Sequence, residues 1–199
     1  LSDGGFFVTW QSNDQDGSSF GIYGQRYDAS GVASGAEFQI NTFSDNSQQN
    51  ASVISLGNGG FIVVWQSDGQ DGSGYGIYGQ RFDASGAVLG GEFQINTSTS
   101  GDQEYPSIAT LSNGGFVVAY LSSDTGSNEI YAQIYDASGV TSGAEFQVND
   151  YTASSQEKPS IASLPGGGFV VTWESNGQDG SDDGIYGKRY GADGTAISG

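Results

Sequence analysis

The chain of 199 residues has no cysteine, no histidine and no methionine, only three prolines, and five lysines and arginines against 23 aspartates and glutamates. Each absence closes off some chemistry. Without cysteine there are no disulfides and no thiolate nucleophile, and without histidine there is no imidazole base or ligand. A formal net charge of −18 speaks against nucleic acid and anionic membranes as partners, because binding phosphate takes lysine and arginine. No run approaches 18 apolar residues and no secretory signal pattern is visible. Carboxylates, hydroxyls, two lysines and three arginines remain. What the chain does have is glycine, 34 residues of it, and 13% aromatics within a hydrophobic share of 35%. That composition suits a loop-rich β protein with enough apolar material for a core.

The glycines are periodic. Gly-Gly-Phe occurs at Gly4-Gly5-Phe6, Gly59-Gly60-Phe61, Gly114-Gly115-Phe116 and Gly167-Gly168-Phe169, at spacings of 55, 55 and 53. Ile22, Ile77, Ile130 and Ile185 keep the same period, as do Glu37, Glu92 and Glu145. A fixed period of this length marks a repeat architecture. The units run approximately over 1–50, 51–105, 106–158 and 159–199 of a single repeat domain, about 3.6 repeats. The chain begins inside a repeat, and we read it as a piece of a longer polypeptide.

One repeat reads as four strands. Ser52–Leu56 (strand A) and Phe61–Gln66 (strand B) flank Asn58-Gly59, which predicts a type I′ hairpin. Ile77–Phe82 (C) and Glu92–Asn96 (D) follow. Strand B is apolar on both faces, as a strand buried between two layers requires. Strand D alternates Phe93 and Ile95 with polar residues, the pattern of a half-exposed edge. Strand A is built from small residues such as Ser107 and Ala109. The expected fold is an all-β, β-propeller-like array of four-stranded antiparallel blades. As the chain starts before strand B and ends after a strand C, one A and one D strand are expected to be absent from the array.

In such a blade the B–C and D–A loops emerge on one side. Fourteen of the 23 acidic residues fall in those loops, so function is sought on that face. Asn13-Asp14-Gln15-Asp16-Gly17, Asp68-Gly69-Gln70-Asp71-Gly72 and Asn176-Gly177-Gln178-Asp179-Gly180-Ser181-Asp182-Asp183 are loosened forms of a calcium loop, with oxygen ligands around a glycine turn. Asp14, Asp16, Asp68, Asp71, Asp179 and Asp183 are the candidate Ca2+ ligands, although Gly69 stands where a middle Asp belongs and no bidentate Glu follows. Asp28, Asp83 and Asp136 lie in Asp-Ala-Ser-Gly turns on the other face, where such an Asp caps its own turn. Phe20 and Tyr75 hold equivalent places in the B–C loops and are the candidate sugar-binding aromatics. Tyr23, Tyr78, Tyr131 and Tyr186 recur in strand C as core residues. Arg26, Arg81 and Arg189 are repeat-equivalent and are expected to pair with acids between blades, not to form a substrate cluster. Glu104 and Glu157 are equivalent at the start of strand A. Glu174 replaces Gln11, Gln66 and Leu121 and is the one unrepeated acid in a strand, a lone carboxylate that makes a poor glycosidase.

The units from Gly59 to Asp83 and from Gly91 to Asn96 resemble the tandem repeats of very large bacterial secreted proteins. Those proteins often also carry hemolysin-type calcium repeats or cadherin-like domains. Their calcium nonapeptide Gly-Gly-x-Gly-x-Asp is absent here. The B–C loops are also similar to those of integrin-type FG-GAP blades, and the blade pattern more distantly resembles sialidase-like propellers. The resemblance implies an extracellular or cell-surface setting, calcium and an adhesive role. The resulting expectation is a noncatalytic, calcium-assisted binding module with glycans or a cell-surface polymer as partner. The alternatives are a structural spacer that self-associates or closes a ring with further repeats, and a carbohydrate-active enzyme in which Glu174 takes part.

Overall fold

The computed structural model describes residue 1 and residues 3–198. It is all β: fifteen strands in four antiparallel sheets. The first sheet orders β1 (Phe6–Asn13), β2 (Phe20–Tyr27) and β3 (Phe38–Gln39). The second orders β4 (Gln48–Ser55), β5 (Phe61–Asp68), β6 (Tyr75–Phe82) and β7 (Val88–Gln94). The third consists of β8 (Gln103–Thr110), β9 (Phe116–Ser122), β10 (Glu129–Tyr135) and β11 (Phe146–Gln147). The fourth consists of β12 (Gln156–Ser163), β13 (Phe169–Asn176), β14 (Asp183–Tyr190) and β15 (Ala196–Ile197). Each sheet is one meander, and β4, β8 and β12 lie against one another as the inner strands. This is the propeller-like array of blades that the repeats predict.

The blades are held together by what each cannot bury alone. Phe61, Val63 and Trp65 of β5 face the first blade, where they meet Ile22, Ile40 and Phe7. The alternate residues Ile62 and Val64 face the third blade and meet Phe116, Val118 and Tyr120. Val117, Ala119 and Ile130 meet Phe169, Val171 and Trp173 in the same way. Polar groups stitch the same seams. Glu92 accepts the Thr42 N–H at 3.0 Å, and Glu145 accepts that of Thr97 at 2.8 Å. Arg26 donates to the Ala84 carbonyl at 2.8 Å, and Arg81 to the Ala137 carbonyl at 3.2 Å and that of Ser138. Arg26 and Arg81 therefore bond mainly to the turn carbonyls of the next blade. Among the described residues the one arginine–acid pairing is Arg26 with Asp3 of its own blade.

The structure corrects two local expectations. Only Gly59 takes a left-handed φ, +86°, in the A–B turn. Gly59 N–H bonds to Leu56 at 3.0 Å and Asn58 Oδ1 accepts the Gly60 N–H at 3.0 Å, so this is a type I turn closed by a glycine bulge rather than a type I′ turn. The inner strands begin four residues before the predicted start, because a bulge between Gln49 and Ser52 carries the polar half of β4 into register with β5. In the fourth blade β15 pairs only with Arg189 and Tyr190 at the base of β14, the place of the Tyr27–Ala33 and Tyr135–Thr141 bridges in other blades and not that of strand D. The Asp-Ala-Ser-Gly aspartates cap their turns as expected: Asp28 Oδ1 accepts the N–H groups of Ser30 and Val32 at 2.8 and 2.9 Å.

Candidate active site at the acidic mouth

The bulges of the inner strands build the candidate site. In β4, β8 and β12 the residue after Gln49, Glu104 and Glu157 is left-handed: Asn50 at φ 55°, Tyr105 at 55° and Lys158 at 51°. Such a conformation is costly for a bulky side chain and persists only where the surroundings fix it. Here the preceding blade does so. Gln11 Oε1 accepts the Asn50 N–H at 3.2 Å, and Gln66 Oε1 accepts the Tyr105 N–H at 3.0 Å. The turned backbone projects Tyr105 outward, 44% exposed, on the face where the acidic loops gather.

Three glutamates meet there. Glu157 and Glu174 stand directly opposite each other across β12 and β13, an arrangement of like charges that is unfavourable alone. Lys158 Nζ relieves it by pairing with Glu174 Oε2 at 2.9 Å, and Asn128 donates to Glu157 Oε1 at 3.4 Å. Glu104, one blade back, accepts a weak bond from Gln66 Nε2 at 3.4 Å. Its carboxyl titrates above the ordinary range, first because it is partly buried and then because Asp102 and Glu157 are near it. A cavity of about 270 Å³ opens beside the pair, lined by Ser154, Ser155, Glu157, Glu174, Asn176 and Asp183.

Tyr75 joins this group. It is half-buried at the start of β6, its N–H bonds to Asp102 Oδ1 at 2.9 Å, and its hydroxyl is pushed up by burial and then by Asp68, Glu104 and Asp102. Phe20 holds the matching half-buried place in the first blade, at the start of β2. The candidate calcium ligands are occupied locally. Asp16 and Asp71 each cap their own turn, at the N–H of Ser18 (3.2 Å) and Ser73 (3.1 Å), and accept Gln39 and Gln94 with the second oxygen. Asp179 caps Ser181 at 3.0 Å, Asp14 accepts Asn13 at 2.8 Å and Asp183 accepts Asn176 at 3.0 Å. Asp68 ends β5 opposite Tyr75. Among the described residues no three carboxylates converge on a common metal position.

Glu174 therefore has company that its strand position alone did not reveal. The signal was in the repeat: Glu104 and Glu157 share one place, and that place faces the strand B residue at which Glu174 departs from glutamine. Tyr105 was missed because its position holds Asn, Tyr and Lys in successive repeats, so that no periodic aromatic marks it.

No family model matches the chain, and no curated relative matches it by sequence. The fold is shared with solved structures. An α-L-arabinofuranosidase from Lactobacillus brevis superposes over 99% of this chain and 73% of its own length, with 15% identity and a TM-score of 0.59. A thermostable family-43 glycoside hydrolase does so over 99% and 72%, at 16% and 0.57. A xylan β-1,4-xylosidase from Bacillus halodurans covers 98% of this chain, which spans 41% of it, at 15% and 0.57. What is shared with these glycoside hydrolases is the propeller-like array of blades. The expectation of a noncatalytic binding module, drawn from the acidic loops and the resemblance of the repeats, is corrected by this finding: the solved structures that share the fold are glycoside hydrolases, and Glu174, read as a lone carboxylate, stands opposite Glu157.

Proposed function

We propose that this chain is a carbohydrate-active enzyme that cleaves glycosidic bonds at the acidic mouth. The observation that carries the reading is geometric: Glu104 and Glu157 hold one repeat position on neighbouring inner strands, and Glu157 stands opposite Glu174 beside the cavity. Glu104 is held toward its protonated form by partial burial and then by the charges of Asp102 and Glu157, while Glu157, also half-buried, accepts Asn128 at 3.4 Å and lines the cavity. Acid–base cleavage of a glycoside needs one carboxyl that holds its proton and a second carboxyl nearby. Glu104 gives its proton to the leaving oxygen, and Glu157 takes a proton from the water that attacks the anomeric carbon. Glu174, fixed by Lys158, is a positioning residue that keeps Glu157 turned away from β13. Tyr75 and Tyr105 supply flat apolar surfaces for sugar rings. The names of the structural neighbours make arabino- and xylo-configured glycans the first substrates to try.

The test is a screen of aryl arabinosides and xylosides and of the corresponding polysaccharides, with the wild-type chain and with Glu104→Gln and Glu157→Gln. Turnover that falls by about 10²- to 10⁴-fold in either variant is expected for loss of a general acid or base. Absence of turnover above background, or turnover indifferent to both changes, overturns the reading. Calcium at the B–C loops is a separate proposal, supported by their Asp-rich wording, and calorimetric titration with calcium, reversed with EDTA, checks it. An extracellular setting is proposed on the resemblance of the repeat wording alone.

A further inference from the structure

The two glutamates that share a repeat position do not share a neighbour. Asn128 Nδ2 donates to Glu157 Oε1 at 3.4 Å, across the seam between the third and fourth blades. Phe20 and Tyr75 begin β2 and β6, and Asn128 directly precedes β10. These three are repeat-equivalent, each two residues before a buried isoleucine (Ile22, Ile77, Ile130). Glu157 in turn has its counterparts in Gln49 and Glu104, each following the buried glutamine that opens an inner strand. The three seams between blades therefore carry Phe20 with Gln49, Tyr75 with Glu104 and Asn128 with Glu157. Among the described residues only the last of these pairs is joined by a side-chain hydrogen bond.

At the middle seam Tyr75 is pinned in the place of the amide. Its N–H bonds to Asp102 Oδ1 at 2.9 Å. Asp102 is fixed by Ser123 of the third blade: its N–H donates to Ser123 Oγ at 2.8 Å and its carbonyl accepts the Ser123 N–H at 2.9 Å. Gly74 makes the approach possible, since a Cβ there would lie 2.0 Å from Asp102 Oδ1. The first blade has Ser19 and Ser47 in these two places, and their hydroxyls bond to each other at 2.8 Å instead. Glu104 is left with the bond from Gln66 Nε2 at 3.4 Å. The titratable groups around it are Asp102 on its own segment, Glu157 on β12 and Tyr75 on β6, and none of these is a cation. We propose that Tyr75 is a positioning residue that keeps Glu104 in its acid form, by filling the place from which a neighbouring blade would otherwise offer the carboxylate a donor. A donated hydrogen bond favours the ionised carboxyl, whereas burial against a ring favours the neutral one. The upward shift of Glu104, with burial as its first cause, agrees with that account. The acid's part in cleavage rests on the catalytic reading, but the effect of Tyr75 on Glu104 can be read without turnover.

Two readouts test it on the wild-type chain and on Tyr75→Asn, Tyr75→Gln and Tyr75→Phe: the pH dependence of kcat/KM on an aryl glycoside, and a ¹³C-detected titration of the Glu104 carboxyl. The alkaline limb of the rate profile reports the acid of the free enzyme. Either amide gives Glu104 the kind of donor that Asn128 gives Glu157. Both should move the limb and the carboxyl titration down by about one pH unit, the scale of one hydrogen bond to a charged group. Tyr75→Phe keeps the ring and should leave both in place. Amide variants whose KM rises while the limb and the carboxyl titration stay unmoved would make Tyr75 a sugar platform only, and overturn the proposal. A titration that falls as far in the Phe variant overturns it too, because the hydroxyl would then be the source of the effect. A chain without turnover whose Glu104 carboxyl still shifts as expected would overturn the catalytic reading and uphold the role of Tyr75.

Discussion

Two tryptophans at equivalent positions differ by one hydrogen bond. Trp173 Nε1 donates to Gln156 Oε1 at 2.9 Å, whereas Trp65 Nε1 is buried with no partner. Replacing either with phenylalanine removes similar volume, but Trp173→Phe also leaves the carbonyl of a fully buried Gln156 unpaired. Trp173→Phe should therefore cost about 1–3 kcal/mol more than Trp65→Phe, the range for orphaning a buried polar group, as read from urea midpoints of the two variants. Glu104 allows a second prediction with a definite sign. Its pKa in the fold lies above the ordinary value of 4.5, so its contribution favours the fold below pH 4.5 and is lost as pH rises through the raised value. Glu104→Gln should therefore melt higher than wild type at pH 7, and the difference should vanish below pH 4.5 while activity is lost throughout. A lower melting temperature at pH 7 would mean that the carboxylate is better accommodated than its surroundings imply.

The bulged start of each inner strand is the element that separates what was legible in sequence from what was not. The hairpins, the doubly buried second strands and the acidic face could be read, because Gly-Gly-Phe, the alternation of Phe93 and Ile95 and the loop aspartates recur with the period. The polar half of the inner strand could not. Gln48-Gln49-Asn50 has no strand alternation, and Pro106 and Pro159 sit where a regular ladder would need an N–H. A bulge resolves both objections by leaving one residue unpaired, and that residue, Tyr105 in β8, turns out to lie at the mouth. Its strain predicts a trade-off. Asn tolerates the left-handed region and already occupies the matching place at Asn50. Tyr105→Asn should therefore stabilise the chain by up to about 1 kcal/mol while weakening glycan binding, measured by melting and by KM in parallel. Loss of stability would show that the tyrosine ring, not the backbone, dominates at this position.

Across the whole molecule, stability should follow how many neighbours each blade has. The apolar clusters join the first blade to the second, the second to the third and the third to the fourth. Strands β5 and β9 are accordingly buried almost throughout, while β1 and β14 alternate between half-buried and exposed residues, with Phe6 and Val8 more than 40% exposed. In such an array the end units have one stabilising interface and the inner units two, so opening is expected to begin at the ends and not everywhere at once. The net charge of −18 weakens every unit through self-repulsion that salt screens. It should lower the overall scale without changing the order. Hydrogen exchange at low and at 0.5 M salt separates the two effects. Amides of β5 and β9 should exchange slowest and those of β1 and β14 fastest under both conditions, and added salt should slow all four together. Equal protection of β1 and β5 would show that the blades open as one cooperative unit, with the interfaces between them stronger than the sheets themselves.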